Sequence, residues 1–288
     1  SRAMMSMAYA FAYDWCYEGW SPAQRAEIFA TLRAAADAWP NFQHANVAAP
    51  HRGSNWVGVT RGAELILHLA ARHEPDYGDR ADRIALCVDD LTRHIETAYG
   101  PSGWTQEGLG YLEYTFGFLA PAALAARDAG WTGPWAGLQS RRWHRLLWMA
   151  GTFRAQHQML QSGVAGEAST DEGLASLVWP FVPADERASY RWFYDRHLGT
   201  EALRPTFDSR RAGTTWALLF YPSEVRPTPP PLEPLFDSKK GAYYFRNRWQ
   251  DQNDILVSLM ARHDTHSHAW QQPETWALAI MAFDTTLP

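Results

Sequence analysis

Residues 222–234 have the sequence Pro-Ser-Glu-Val-Arg-Pro-Thr-Pro-Pro-Pro-Leu-Glu-Pro, and this stretch separates two parts of the chain that have different patterns. Proline lacks a backbone N–H and fixes φ, so a helix cannot continue through this stretch and an extended backbone is favoured. We therefore predict a helical domain at 1–221, a Pro-rich linker at 222–235 and a domain of antiparallel strands at 236–288.

Before the linker, apolar residues recur at helical spacing. Ser21-Pro22-Ala23-Gln24 combines an N-cap residue, a first-turn proline and a capping-box glutamine, and so predicts the start of a helix. Further helices are predicted at 55–73, 78–99, 106–128, 137–160, 170–179, 184–197 and 211–220. Repeated helical hairpins without a strict sequence repeat favour an α/α toroid or a solenoid over a four-helix bundle.

After the linker, the pattern is that of strands. The segments 242–246 and 254–260 are rich in strand-forming residues, and a polar turn separates them. The alternating segment 276–283 predicts a third strand, which lacks a neighbour because the chain ends soon after it. The first helical pattern also begins without a cap, so we expect the chain to be an internal piece of a longer protein.

Composition and charge exclude several classes of protein. The 288 residues contain 26 Lys plus Arg against 31 Asp plus Glu, so the chain has no basic arm for binding nucleic acid. No apolar run reaches the ~18 residues of a membrane span, and no signal-peptide pattern is present. The 15 tryptophans are suited to core packing, which composition favours, and also to stacking on sugar rings. Neither nucleic acid nor a membrane is an expected partner, and the oligomeric state is left open.

The segment 103–114, Gly-Trp-Thr-Gln-Glu-Gly-Leu-Gly-Tyr-Leu-Glu-Tyr, is the first candidate for chemistry. A helix that begins at Gln106 would place Glu107, Tyr111 and Tyr114 on one side. The glycines at the start of that helix weaken it by up to ~1 kcal/mol each, a cost consistent with a ligand that approaches the backbone closely. The alternative is an amphipathic helix with tyrosines at its boundary.

The loop 51–56, His-Arg-Gly-Ser-Asn-Trp, is the second candidate. Asn55 is a suitable N-cap for the helix that follows, because its side chain can accept from an exposed backbone N–H. Its amide can equally donate to a substrate carboxylate beside the indole of Trp56.

The segment 263–268, His-Asp-Thr-His-Ser-His, is the third candidate. If the preceding strand continues, His266 and His268 share a face and form a base or metal-ligand pair. A metal site needs at least a third ligand, and Asp284 is one of the nearby acidic residues. The alternative is a solvated polar loop.

These three segments, in this order, resemble the heparinase II/III-like polysaccharide lyases, and the resemblance extends over nearly the whole chain. Residues 13–15 and 21–25 are similar to an early toroid helix of that family, and 103–111 are similar to its Gly-aromatic-x-x-Glu-Gly-x-x-Tyr segment. Residues 236–249 and 266–268 are similar to the start of its β-sandwich. The resemblance implies an incomplete α/α toroid followed by the start of an antiparallel β-sandwich, an acidic polysaccharide substrate, cleavage by β-elimination and a periplasmic or secreted location.

The resemblance also implies a role for individual residues. Tyr111 matches the catalytic tyrosine, His266 the histidine that faces the cleft, and Asn55 the position that neutralises the substrate carboxylate. The remaining residues expected to contact substrate are Trp56, Trp104, Gln106, Glu107, Tyr114 and His263. His268 matches a zinc ligand and Asp284 a metal-binding aspartate, so the full-length protein is expected to hold a structural zinc. Trp270 and Gln272 replace the expected Asp and Gly after His-x-His, and no cofactor is assigned to this chain itself.

Two rival functions remain from the sequence. A toroid glycoside hydrolase would use paired carboxylates such as Glu107 and Glu113, although these point in different directions if both lie on one helix. A carbohydrate-binding protein would keep the fold without the chemistry. A lyase in which tyrosine acts as a base requires a nearby cation or hydrogen bond, for which Arg52, Arg61 and Arg262 are candidates.

Overall fold

A computed structural model describes residues 2–39, 53–105, 107–153, 158–160, 167–169, 172–197, 213–261, 276–283 and 285–287. Contacts divide the chain into two compact units. The first unit comprises Ser1–Thr97 and Phe118–Leu138, and the second comprises Ala98–Gly117 and Gln139–Pro288.

The described residues are mostly helical up to Phe220, with one two-stranded sheet among the helices, and form a five-stranded antiparallel sheet afterwards. The predicted order of helical region and sheet is therefore confirmed. The helices are α1 (Arg2–Trp15), α2 (Pro22–Ala38), α3 (Asn55–Ala71), α4 (Ala81–Ala98), α5 (Leu109–Asp128), α6 (Gly133–Gln139), α7 (Trp143–Ala150), α8 (Glu172–Val178), α9 (Arg187–His197) and α10 (Gly213–Phe220). The strands are β1 (Gln158–Leu160), β2 (Glu167–Ser169), β3 (Leu235–Asp237), β4 (Ala242–Arg246), β5 (Leu256–Ala261), β6 (Trp276–Ala282) and β7 (Thr285–Leu287). No described helix has both the length and the apolar character needed to cross a membrane.

In the first unit, α1 packs against α2 and α3. The predicted capping box at the start of α2 is confirmed, because Ser21 Oγ accepts from the backbone N–H of Gln24 and the Gln24 side chain accepts from the backbone N–H of Ser21. The C-terminal half of α5 crosses α3 closely at Gly62. A Cβ at Gly62 would lie 2.9 Å from the carbonyl oxygen of Phe118, so this crossing requires glycine.

A buried ionic cluster joins α3 to α4 in the same unit. Glu64 is fully buried, and its carboxylate accepts from Arg61 at 2.7 Å and from Arg83. Arg61 also contacts Asp90 at 2.8 Å, and His68 lies 3.7 Å from Glu64. Burial alone would raise the pKa of Glu64, but the hydrogen bonds and positive charges outweigh it and lower the pKa to about 2.

In the second unit, the sheet has the strand order β3-β4-β5-β6-β7 with every described neighbour antiparallel. The burial of β4 and β5 alternates along each strand, as expected of a sheet with one covered face. β7 pairs with β6, with Ile280 opposite Leu287. The prediction that the last strand lacks a neighbour was therefore wrong, because the final residues fold back as β7.

The carboxylate of Asp237, at the end of β3, holds a distant loop to the start of the sheet. It accepts from the backbone N–H of Ser102 at 3.0 Å, from Ser102 Oγ at 2.6 Å and from the backbone N–H of Lys240 at 3.0 Å. Asp237 is fully buried, and a Cβ at Gly100 would lie 2.1 Å from its carboxylate oxygens. The loop at 99–105 can therefore approach β3 only because residue 100 is glycine.

The Pro-rich segment begins with a turn, in which the backbone N–H of Val225 donates to the carbonyl oxygen of Pro222, and it then packs on α9. Arg191 donates to the carbonyl oxygen of Pro222 at 2.5 Å, and the backbone N–H of Thr228 donates to that of Ala188 at 3.1 Å. Arg145 on α7 pairs with Glu233 at 3.3 Å. The segment thus packs within the second unit, and the domain limits at 221 and 236 stay a prediction.

One predicted helix is wrong. The segment 137–160 contains the end of α6, the whole of α7 and the strand β1. The helix stops at Gly151, where a Cβ would lie 2.4 Å from the ring of Phe193 and where the carbonyl oxygen accepts from the buried guanidinium of Arg246. Contacts with distant parts of the chain therefore end the helix.

Replacing Asp237 with alanine should lower the free energy of unfolding by about 3 kcal/mol or more. The change removes three hydrogen bonds to a charged acceptor, each worth roughly 1.5–3 kcal/mol, and leaves their donors buried. Urea denaturation followed by tryptophan fluorescence measures the change. Asp14→Ala, at an exposed position on α1, serves as the control and should change stability by less than about 0.5 kcal/mol. Equal losses in the two variants would contradict the structural role of Asp237.

Glu64 should make the protein sensitive to acid. Its pKa falls from 4.5 to about 2 on folding, so its contribution is present above pH ~4.5 and is lost as the pH falls towards 2. The contribution is on the order of 3 kcal/mol. In urea unfolding between pH 7 and pH 2, Glu64→Gln should be less stable than the parent at pH 7, and the difference should shrink in acid. Glu27→Gln, exposed on α2, should keep the parent's dependence on pH; a constant difference for Glu64→Gln would refute the assignment.

Candidate active site

The segment that carries Tyr111 begins as a tight loop in the second unit. Tyr99 and Thr105 form an antiparallel bridge, and the backbone N–H of Gly100 donates to the carbonyl oxygen of Trp104 at 3.0 Å. Gly103 has φ of 87°, a left-handed conformation that favours glycine, and a Cβ there would lie 2.4 Å from the ring of Trp143. The loop conformation is therefore fixed by glycines and by packing.

A second left-handed glycine sets the start of α5. Gly108 has φ of 84°, so the helix begins at Leu109 and Glu107 lies in the preceding turn. The predicted helix from 106 and the common face of Glu107 and Tyr111 are therefore wrong. Tyr111 and Tyr114 do share a face of α5, because they are three residues apart, and both side chains are partly exposed.

A buried polar cluster lies behind this turn. Burial raises the pKa of the Tyr99 phenol, the nearby Glu107 raises it further, and a hydrogen bond with Thr115 acts in the opposite direction. Thr115 Oγ1 also donates to the carbonyl oxygen of Tyr111 at 2.7 Å. Glu107 is only 7% exposed, so its carboxylate belongs to the interior cluster that supports the first turns of α5. Contact of Glu107 with a substrate stays a prediction.

Trp104 lies in the core of the second unit. It is 1% exposed, and its ring centroid lies 5.9 Å from that of Tyr244 on β4. An indole with both faces covered by protein has no surface on which a sugar can stack. The structure therefore gives Trp104 a packing role in place of the predicted stacking role.

Asn55 and Trp56 lie at the start of α3 in the first unit. The N-cap is Ser54, whose Oγ accepts from the backbone N–H of Trp56 at 3.3 Å, so the prediction that Asn55 is the cap was wrong. Asn55 is the first helical residue and is 2% exposed, whereas Trp56 is partly exposed. A carboxylate could reach the Asn55 amide only if that side chain became accessible.

The other predicted site residues lie outside the described part of the chain: Gln106, His263, His266, His268 and Asp284. Within the described ranges, no group of three His, Cys, Asp or Glu side chains is placed to hold a metal ion. The zinc site of the full-length protein therefore stays a prediction. Of the three candidate cations, Arg61 is engaged by Glu64 and Asp90, and Arg52 and Arg262 are not described.

Sequence reasoning missed the residues that support the Tyr111 segment. Asp237 and Ser102 are 135 positions apart, so no local pattern joins them. The available signal was Phe236-Asp237 at the beginning of the stretch similar to the start of the β-sandwich, because aspartate is depleted in strands. No sequence pattern indicated a role for Tyr99, because its hydrogen bond with Thr115 exists only in the folded loop.

Alanine at Gly108 should destabilise the protein by about 1–2 kcal/mol, because a side chain is unfavourable in the left-handed conformation. Gly117, inside the helix α5 that follows Gly108, offers a matched control, since a Cβ there meets nothing within 4 Å. Gly117→Ala should stabilise by up to ~1 kcal/mol through its helix propensity. Thermal and urea unfolding measure both changes. Equal effects of the two substitutions would contradict the structural reason for Gly108.

Comparisons with known proteins support the fold and leave the chemistry open. No family model matches the sequence, and no curated protein matches it. The structure is similar to the crystal structure of heparinase III, with a TM-score of 0.63 and 9% sequence identity. The match covers 90% of this chain and 37% of the heparinase III chain, so this chain spans well under half the length of that protein. The resemblance to the heparinase II/III-like proteins is thus confirmed for the fold.

Proposed function

We propose that the protein is a polysaccharide lyase that cleaves a uronic-acid-containing polysaccharide by β-elimination. A fold similar to that of heparinase III supports it, and so do the sequence segments that resemble the heparinase II/III-like lyases. The observation that carries the proposal is the placement of Tyr111. It is a partly exposed phenol on the first turns of a helix, at the position that matches the catalytic tyrosine.

The surroundings of Tyr111 suit a catalytic group because they fix its backbone. Gly103 and Gly108 set the loop, and Asp237 holds the loop through Ser102. The backbone of Tyr111 is also tied to Thr115 inside α5. A reacting side chain must stay within about 0.5 Å of its productive position, and support of this kind limits the positions that it can adopt.

In the proposed reaction, the bond between C5 and its hydrogen breaks and its electron pair forms the C4–C5 double bond. The bond from C4 to the leaving oxygen breaks, and that oxygen takes a proton. Tyr111 removes the C5 proton and supplies a proton to the leaving oxygen. His266 is the proposed partner base, and the Asn55 amide donates to the uronate carboxylate, which stabilises the negative charge that develops next to C5.

The environment of two carboxylates disfavours the hydrolase alternative. Glu107 and Glu113 are 7% and 4% exposed. A pair that hydrolyses a glycosidic bond must reach both the sugar and a water molecule from opposite sides of the bond. A carbohydrate-binding protein without catalysis is the second candidate, and the burial of Asn55, the proposed donor to the uronate carboxylate, is the observation that favours it.

The proposal predicts that the protein containing this chain releases unsaturated products from a polyuronate. Heparan sulfate, chondroitin, alginate and bacterial polyuronates are incubated with it, and the ultraviolet absorbance of the C4–C5 double bond is followed. Tyr111→Phe should lower the rate by about 10²–10⁴-fold, since it removes the acid and base group. Tyr9→Phe, at an exposed position on α1, is the matched control and should retain the parent's rate.

Two results would overturn the lyase proposal, and a third would overturn the role of Tyr111 in it. Reducing ends that appear without ultraviolet absorbance would indicate hydrolysis. Binding of a polyuronate without any cleavage would indicate the non-catalytic alternative. Full activity in Tyr111→Phe, with the parent's unfolding curve, would remove Tyr111 from the mechanism.

A further inference from the structure

The first compact unit contains a surface cavity of about 270 Å³ for which the proposed lyase chemistry has no use. Its size is close to the lower end of the range for small-molecule sites, roughly 300–1,000 Å³, and suits one ring better than a chain of rings. The side chains that define its character are Tyr13, Tyr17, Arg25, Phe29, Glu74 and Asp76. All six belong to the same unit, so the cavity is formed by that unit alone.

Aromatic rings form one part of the wall. Tyr13 packs edge-on against Tyr17 at 5.4 Å and lies 6.3 Å from Phe29. Tyr77, buried beneath, supports Phe29 at 6.1 Å. Tyr13 is itself buried and supports the wall from behind, so the partly exposed rings of Tyr17 and Phe29 offer the apolar surface for the C–H groups of a ligand ring.

The carboxylates of Glu74 and Asp76 also line the cavity and give it negative charge. Tyr13 Oη donates to Glu74 at 2.5 Å, which leaves the second oxygen of Glu74 available. Among the described residues, neither Glu74 nor Asp76 forms an ion pair with an arginine or lysine. Arg25 is directed to the ring of Tyr17, with its guanidinium carbon 4.8 Å from the ring centroid. The three charged groups sum to one negative charge, which favours a cationic ligand group.

We propose that this cavity binds a single hexosamine ring that carries a protonated amine. The amine would pair with Glu74 and Asp76, the hydroxyl groups would accept from Arg25, and the C–H face would lie on the aromatic rings. A uronate ring fits the same shape but brings a carboxylate towards two others, which disfavours it. The cavity is therefore expected to prefer a cationic ligand, whereas the proposed lyase acts on an anionic substrate. Binding at the cavity does not depend on the lyase reaction.

The test compares four sugars with the same ring and different charge. Saturation-transfer NMR and calorimetry with D-glucosamine, N-acetyl-D-glucosamine, D-glucose and D-glucuronate measure binding at neutral pH. D-glucosamine should bind about tenfold or more tightly than the two neutral sugars, and D-glucuronate should bind most weakly. The preference should decrease between 0.05 and 0.5 M salt, because exposed charges are screened. Methylammonium separates the amine from the ring and should bind far more weakly than D-glucosamine.

Isosteric variants identify the site. Glu74→Gln and Asp76→Asn should each weaken D-glucosamine binding by several-fold, and together by about tenfold or more, without changing the unfolding curve. Glu74→Gln keeps an acceptor for Tyr13 Oη, so the wall stays in place. Glu27→Gln, an exposed carboxylate on α2 that does not line the cavity, is the matched control and should bind as the parent does.

The proposal is overturned if D-glucosamine shows no preference over N-acetyl-D-glucosamine, or if D-glucuronate binds as tightly. Methylammonium binding equal to that of D-glucosamine would show a simple cation site and would equally overturn it. An unchanged affinity in the double variant would place any binding elsewhere on the protein.

Discussion

The buried carboxylate of Asp237 is the interaction on which the arrangement of the second unit depends. It joins β3 to a loop 135 positions earlier through two hydrogen bonds with Ser102, and it also accepts from Lys240 in the turn that leads to β4. A buried carboxylate is stable only when its oxygens are satisfied, so the loop and the turn must both be in place before this charge is tolerated. The sheet and the segment that leads into α5 therefore constrain each other.

Local sequence patterns predicted those elements whose cause is local. The capping box at Ser21 formed as expected, and the strands β4, β5 and β6 lie in the three segments that were predicted to be strands. The failures occurred where a distant contact decides the outcome. Within the helix predicted at 137–160, α7 ends before Gly151, where the ring of Phe193 and the guanidinium of Arg246 pack against the backbone. Ser54 caps α3 in place of Asn55, and periodicity gives no way to choose between two adjacent capping residues.

The sequence predicted the helix that carries Tyr111, but it did not predict which candidate side chains are accessible. The pattern of residues 103–114 predicted a helix that carries Tyr111 and Tyr114 on one side. The structure has that helix, but α5 begins only at Leu109, after the left-handed Gly108. Trp104 could not be separated from a sugar-stacking tryptophan by sequence, because whether an indole is covered depends on the strand β4 that packs against it. Residue type identifies what a side chain can do, and only tertiary contacts identify whether it is accessible.

The carboxylates of the first unit differ in their exposure to solvent, and this difference distinguishes a structural carboxylate from one that can bind a ligand. Glu64 is buried, and two arginines and a histidine surround it, because an uncompensated charge in the interior would cost several kcal/mol. Glu74 and Asp76 lie at a cavity, where water can solvate them, and among the described residues no cation neutralises either one. A carboxylate that is already paired with arginines inside the fold, as Glu64 is, attracts a cationic ligand only weakly. The pair at the cavity forms no ion pair with a described arginine or lysine, and that is the property which a cationic ring can exploit.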